Sequence, residues 1–212
     1  MLTISMVAFS SVHAQDEINR WEFFGGYSYM NLNRGFDPDE FDNSFSDFPS
    51  NRVNAHGFNG SITYNFRRFI GAKFDLTLHS HGEDFNSNFI TVNPPLVTPG
   101  TFKTSQNVYQ FMGGIQIKDN KSGSRFKPFA HAMIGAGHGI TKIGSVDCPG
   151  FADCSSVVDN SETGFAGAFG GGLDIRINNH LDFRAIQVDY NPIGFNSGTQ
   201  NNVRFGIGLV FK

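Results

Sequence analysis

In six stretches of the chain, apolar residues recur at every second position. Trp21, Phe23, Gly25, Tyr27 and Tyr29 share a face in the first, and Phe58, Gly60, Ile62, Tyr64 and Phe66 in the second. Ile70, Ala72, Phe74, Leu76 and Leu78 follow, then Tyr109, Phe111, Gly113, Ile115 and Ile117. The pattern returns at Phe165, Gly167, Phe169, Gly171, Leu173, Ile175 and Ile177, and again at Val203, Phe205, Ile207, Leu209 and Phe211. A period of two marks a β-strand whose faces meet different surroundings. None of these positions is charged, whereas the interleaved face carries Glu22, Asn59, Thr63, Lys73, Asp75, Gln116, Asp174, Arg176 and Arg204. Two further segments, 126–142 and 181–190, read as strands with a weaker pattern, which makes eight.

The connections alternate in length. Short ones fall at 67–69, 119–125 and 178–180. Long ones fall at roughly 30–55, 80–104, 143–162 and 191–201, and their Asn, Asp, Ser, Gly and Pro content reads as loop. An even strand count with this alternation puts both termini on the side of the short turns. The charges then suggest a register. A three-residue turn at 178–180 sets Arg176 opposite Asp182 and Asp174 opposite Arg184, with Ile186 opposite Gly172 and Val188 opposite Gly170. The same turn at 67–69 sets Thr63 opposite Lys73 and Ser61 opposite Asp75. This register turns Gln187 outward, which a bulge nearby would relieve.

Alternation alone does not say which face is inside. A soluble barrel buries its apolar face, whereas a membrane barrel shows that face to lipid and keeps polar or small residues in its lumen. Three features favour the membrane case. The apolar face is complete on nearly every strand. Opposite charges pair on the other face, which would be costly in an apolar core. Aromatic residues gather near strand ends (Trp21, Tyr27, Tyr29, Phe66, Phe69, Phe211), as at a membrane interface. Strands of about 9–13 residues suit the roughly 9–11 needed to cross a bilayer at a tilt. The expected fold is therefore all-β, an eight-stranded antiparallel up-and-down transmembrane barrel. Glu22, Lys73, Asp75, Asp174, Arg176, Asp182, Arg184 and Arg204 would form a lumen network of ion pairs.

Composition fits this picture. Of 212 residues, 25 are Gly and 24 are Phe, and charged residues make up 17%, below the roughly 25% of soluble domains. Aromatics at 14% exclude a disordered chain. A net charge of −3 argues against a nucleic-acid binder working through a basic face. Residues 1–14 read MLTISMVAFSSVHA, an apolar run ending in a small-x-Ala pattern. They are expected to be a signal peptide, with its true start left open because no basic n-region precedes the run, and 15–212 to be the barrel.

The whole mature chain resembles the small eight-stranded outer-membrane β-barrel proteins of Gram-negative-type bacteria, the OmpA/OmpX-like group. The resemblance rests on the exported start, the Gly- and aromatic-rich strand at 21–29, the stretch KPFAHAMIGAGHG and the terminal strand from Val203 to Phe211. It implies residence in the bacterial outer membrane among its lipid and lipopolysaccharide. It also implies that Val203, Phe205, Ile207, Leu209 and Phe211 form the C-terminal signal met by the barrel-assembly machinery. The family's signal usually ends on an aromatic residue, and here Lys212 follows Phe211.

Candidate chemistry is sparse. Cys148 and Cys154 bracket five residues in the third long connection, and an oxidising envelope favours a disulfide there. His79 and His81 share a strand face, with Glu83 and Asp84 close behind, but no complete metal set is evident. The first long connection holds Asp37, Asp39, Glu40, Asp42 and Asp47 and fails the EF-hand spacing. It suits a solvated loop, or weak cation or lipopolysaccharide contact. Its Phe36, Phe41, Phe45 and Phe48 could pack over the barrel mouth or mediate contact. His131, Ser28 and Glu22 could converge in the lumen, yet no nucleophile-elbow motif or triad arrangement exists. The expectation is a monomeric, non-enzymatic barrel without cofactor or metal. It would act through its long connections in envelope integrity or surface adhesion and host contact. The alternatives are a small passive channel, a soluble lipocalin-like binder of an apolar ligand, and an enzyme acting on lipid.

Overall fold

The computed structural model describes residues 18–33, 52–92, 95–120, 124–147, 158–196 and 198–212. Eight strands close into one antiparallel barrel in chain order. They are β1 (Trp21–Asn33), β2 (Arg52–Asn65), β3 (Ile70–Val92), β4 (Pro95–Lys118), β5 (Phe126–Asp147), β6 (Val158–Arg176), β7 (Leu181–Phe195) and β8 (Gly198–Phe211). Closure leaves no sheet edge at membrane depth, so the backbone donors and acceptors there are taken up in the ladders, as lipid requires, save at a bulge in β7.

The barrel is apolar outside and polar inside. Phe23, Phe58, Phe74, Phe111, Ile134, Phe169 and Ile207 face outward and are exposed, while Asp75, Thr77, Gln110, Asp174, Asp189 and Arg204 are buried within. The soluble lipocalin-like alternative required the opposite arrangement. The β8 residues Phe205, Ile207, Leu209 and Phe211 lie on the outer face. Lys212 turns the other way, and its ammonium pairs with the Asp182 carboxylate inside the barrel.

Both predicted tight turns form. Phe66 N–H donates to Ile70 O and Ile177 N–H to Leu181 O, each at 3.0 Å. Thr63 stands opposite Lys73 and Ser61 opposite Asp75. Arg176 stands opposite Asp182 and Asp174 opposite Arg184. Beyond Arg184 the expected register changes: Ile186 pairs with Leu173 rather than Gly172, and Val188 with Gly171 rather than Gly170. The cause is an irregularity between Arg184 and Gln187, seen also in the ladder with β8. One extra residue there reverses the parity of β7, so Gln187 and Asp189 enter the lumen and Ile186 and Val188 face lipid.

The long connections are shorter than their composition suggested. Pairing continues to Val92 and Pro95 in the second, and to Phe195 and Gly198 in the fourth. The second and fourth are therefore hairpin almost throughout. The first and third retain strand up to Asn33 and Arg52, and up to Ile143 and Val158. Outside the bilayer both faces of a ribbon can be polar, so the ladder persists where the alternation that reveals a strand has stopped.

Closure brings β1 against β8 with little room. A Cβ added to Gly26 would lie 2.2 Å from Ile207 O, and one added to Gly208 would lie 2.4 Å from Gly25 O. The two glycines are direct partners across the joint between the first and last strands. No side chain fits at either position while the strands remain paired.

Candidate functional site

Two regions concentrate chemistry: the lumen, and the hairpin of β3 and β4 where it outgrows the barrel.

The lumen network has three connected parts. Arg204, on β8, donates through Nη1 to Asp75 Oδ1 of β3 at 2.9 Å and through Nη2 to Asp189 Oδ2 of β7 at 2.6 Å. The same Nη1 reaches Thr77 Oγ1 at 3.1 Å. Asn59 Nδ2 donates to Asp75 Oδ2 at 3.0 Å, and Gln187 Nε2 to Asp189 Oδ2 at 2.7 Å. One guanidinium thus neutralises two carboxylates from opposite parts of the wall. Nearer the short turns, Arg184 grips Asp174 with Nε and Nη2 at 2.8 and 3.2 Å and lies between the Phe24 and Phe129 rings, 4.3 and 4.1 Å from their centroids. Lys118 donates to Glu22 Oε2 at 2.6 Å and to Asp174 Oδ2 at 3.1 Å. Lys73 Nζ sits 3.3 Å from His131 Nδ1, and His131 Nε2 lies 2.9 Å from Asp189 Oδ1. These groups are desolvated, and matched charges with directional hydrogen bonds offset that cost.

Of the eight residues expected in the network, seven are buried in the lumen. Arg176 differs: it sits at the rim, where its guanidinium reaches Asn178 O and Asn179 Oδ1. Lys118, Lys127 (its Nζ 3.7 Å from Asp182 Oδ2), Asp189 and Lys212 also belong to the network and were not anticipated. Lys118 and Lys212 each lie one residue past the end of the alternation seen in sequence. Asp189 was hidden by the bulge, although Gln187 and Asp189 sharing the parity opposite to Asp182 and Arg184 was a usable sign of it.

Above the ion pairs the lumen changes character. Met30, Leu32, Val53, Ala55, Val108, Met112, Met133, Ala166, Ala168 and Ile193 form a buried apolar cluster on the inner wall. Toward the long connections the polar lumen expected from sequence is therefore joined by apolar side chains, which stand beside the buried amides of Gln110, Asn191 and Asn202. Filling of both kinds argues against the small-channel alternative.

The remaining candidates are dispersed. Ser28 Oγ bonds His79 Nε2 at 2.9 Å, Glu22 pairs with Lys118, and His131 faces Lys73 and Asp189, so Ser28, Glu22 and His131 take separate partners. His79 is buried beside Ser28, whereas His81 Nδ1 meets Asn54 O at 2.8 Å. Among the described residues no group of His, Cys, Asp or Glu is arranged to hold a metal. Cys148 and Cys154, residues 1–17, and the acidic and Phe-rich first connection lie outside the described residues.

The second region is asymmetric. β3 and β4 run for 23 and 24 residues, against 13 and 14 for β1 and β2. β2 pairs with β3 only as far as His56 and Ser80. From Gly82 to Val92 the described strand partners of β3 lie on β4 alone. His81 marks the end of the β2 ladder, its side chain meeting a β2 carbonyl.

Known proteins resemble this chain mainly in architecture. Ail, the attachment invasion locus protein of Yersinia pestis, solved with the heparin analogue sucrose octasulfate, superposes with a TM-score of 0.55 at 17% identity, over 91% of this chain and 98% of that one. Neisserial surface protein A superposes with a TM-score of 0.54 at 12% identity, over 91% and 96%. At such identities the likeness establishes the fold. No curated protein sequence matches the chain. The family model for the outer membrane protein beta-barrel domain matches residues 2–211. With an apolar exterior, a charged interior and that match over nearly its whole length, the chain belongs to the outer membrane protein beta-barrel family and resides in the bacterial outer membrane.

Proposed function

We propose that the barrel is a rigid mount for surface contact, acting through the parts that project beyond the membrane in adhesion or partner binding. The observation that carries this is the side of β3 from Gly82 to Val92, which faces no strand among the described residues. At about 3.3 Å per residue, this edge extends about 40 Å past the last pairing with β2. Its backbone donors and acceptors can take an additional extended segment, the mode by which sheets recruit peptides. Ail's structure holds a polyanion. The first connection of this chain is acidic, with Asp37, Asp39, Glu40, Asp42 and Asp47 against Arg34, which favours a neutral or basic extended peptide instead.

In this reading residues 1–14 direct export, the outer face of β8 is met by the assembly machinery, and the barrel works as a non-enzymatic monomer among membrane lipid and lipopolysaccharide. A disulfide between Cys148 and Cys154 would stiffen the third connection. The test replaces residues 84–103 with Asn-Gly, a two-residue turn that rejoins Glu83 to Thr104 in their existing register. The shortened barrel should fold, judged by a band that shifts on boiling in SDS gels, while cells displaying it lose adherence to epithelial monolayers. Undiminished adherence with a folded barrel would remove the hairpin from the function.

A further inference from the structure

We infer that the short-turn end carries a binding collar for anionic glycerophospholipids in the adjacent leaflet. Outside the lumen, the described residues of this end hold Arg20, Arg67, Arg68, Arg125 and Arg176 against one carboxylate side chain, Asp119. Asp119 is matched by Arg68, at 2.9 Å from Nε to Oδ1 and from Nη2 to Oδ2. Arg20, Arg67 and Arg125 are exposed, and none lies within ion-pair distance of a described carboxylate. The sequence is opposite in sign at the far end, where the first connection is acidic.

Backbone hydrogen bonds link these positions around the barrel. Asn65 N–H donates to Arg20 O, Asn120 N–H to Arg68 O, Arg176 N–H to Arg125 O and Lys212 N–H to His180 O. The arginines are thus tied to the closed wall and spaced around it. Exposed aromatic rings stand beside them. Trp21 follows Arg20, Phe66 precedes Arg67, and Phe126 follows Arg125, with the Arg125 guanidinium 5.9 Å from the Phe126 ring centroid. Phe69 lies 4.7 Å from the Arg68 guanidinium. Aromatic rings settle at the level of lipid carbonyls, so the arginines just beyond them lie at the depth of the phosphates.

A groove of about 490 Å³ opens in the same end between Asn178, Asn179, His180, Leu181 and Phe211. Its lining combines the apolar Leu181 and Phe211 with the polar Asn178, Asn179 and His180, a mixture that suits the glycerol region of a lipid. Cationic residues at a membrane surface attract anionic headgroups additively and with strong dependence on salt.

The test compares the refolded full chain in dodecyl maltoside with the variant Arg20→Gln/Arg67→Gln/Arg125→Gln. Dioleoylphosphatidylglycerol or dioleoylphosphatidylcholine is added, and lipids retained per barrel are counted by native mass spectrometry. The unmodified chain should prefer phosphatidylglycerol, and the variant should lose roughly tenfold of that preference. The matched variant Arg52→Gln/Lys103→Gln/Lys142→Gln, at the opposite end, should keep it. Equal retention of the two lipids by the unmodified chain, or equal loss in both variants, would overturn the assignment. Should the first variant fail to fold, salt decides. A preference that survives about 0.5 M salt is not carried by these charges.

Discussion

Replacing Arg204 with Met is expected to destabilise the folded barrel by about 3–5 kcal/mol. The substitution keeps a long side chain in place but leaves Asp75 and Asp189, both buried, without the cation they share. Each would keep hydrogen-bond donors, Asn59 on Asp75 and Gln187 on Asp189, but not the counter-charge. Urea unfolding in lipid vesicles, followed through Trp21, the single tryptophan, measures the loss. A triple variant, Arg204→Met with Asp75→Asn and Asp189→Asn, should recover much of it, because the stranded charges are what destabilise the single variant. A loss below about 1 kcal/mol would mean that lumen water replaces the guanidinium without difficulty.

The second large effect is expected at the joint of β1 and β8. Gly26→Val or Gly208→Val should prevent closure, so that most of the chain fails to give a heat-shifted band on SDS gels. A Cβ at either site meets backbone of the facing strand at 2.2–2.4 Å, and backbone paired in a closed ladder cannot yield as a side-chain tip could. Gly113→Val provides the contrast: a Cβ there meets nothing within 4 Å, so the variant should fold normally. Comparable folded fractions for Gly26→Val and Gly113→Val would show that the joint is looser than its geometry.

Much of this architecture was legible in the residues. Alternation fixed the outer face wherever the strand crosses lipid, because only lipid punishes a misplaced charge strongly enough to make the pattern regular. The pairs Arg176–Asp182 and Asp174–Arg184 set the β6–β7 register near the turn. The legible part stopped where the physical constraint stopped. Beyond the bilayer the hairpin of β3 and β4 is held by backbone pairing, which leaves no periodic trace, and so it reads as loop. At Gln187 a bulge changes parity without changing composition. The apolar cluster on the inner wall escaped for a related reason. Met30 and Leu32 lie past the last clear repeat of β1, where an inward apolar residue looks like noise. In the candidate site, charges were identifiable singly, but their partners were not. Which cation meets which carboxylate across the barrel depends on strand stagger, and no local pattern encodes it.

That inner apolar layer gives the interior a direction. Among the described residues it is drawn from β1, β2, β4, β5, β6 and β7, and on each strand that carries both it lies nearer the long connections than that strand's ion-pair residues. Isotope exchange at Arg204 or Lys118 is then expected to be slower from the long-connection side, where methyl and thioether groups surround the few buried amides of Gln110, Asn191 and Asn202. A solute that quenches or labels the interior should therefore act faster from the short-turn side of the membrane than from the other. An ion-paired lumen that would otherwise be a symmetric plug becomes a graded one, charged toward the short turns and richer in methyl and thioether groups toward the long connections.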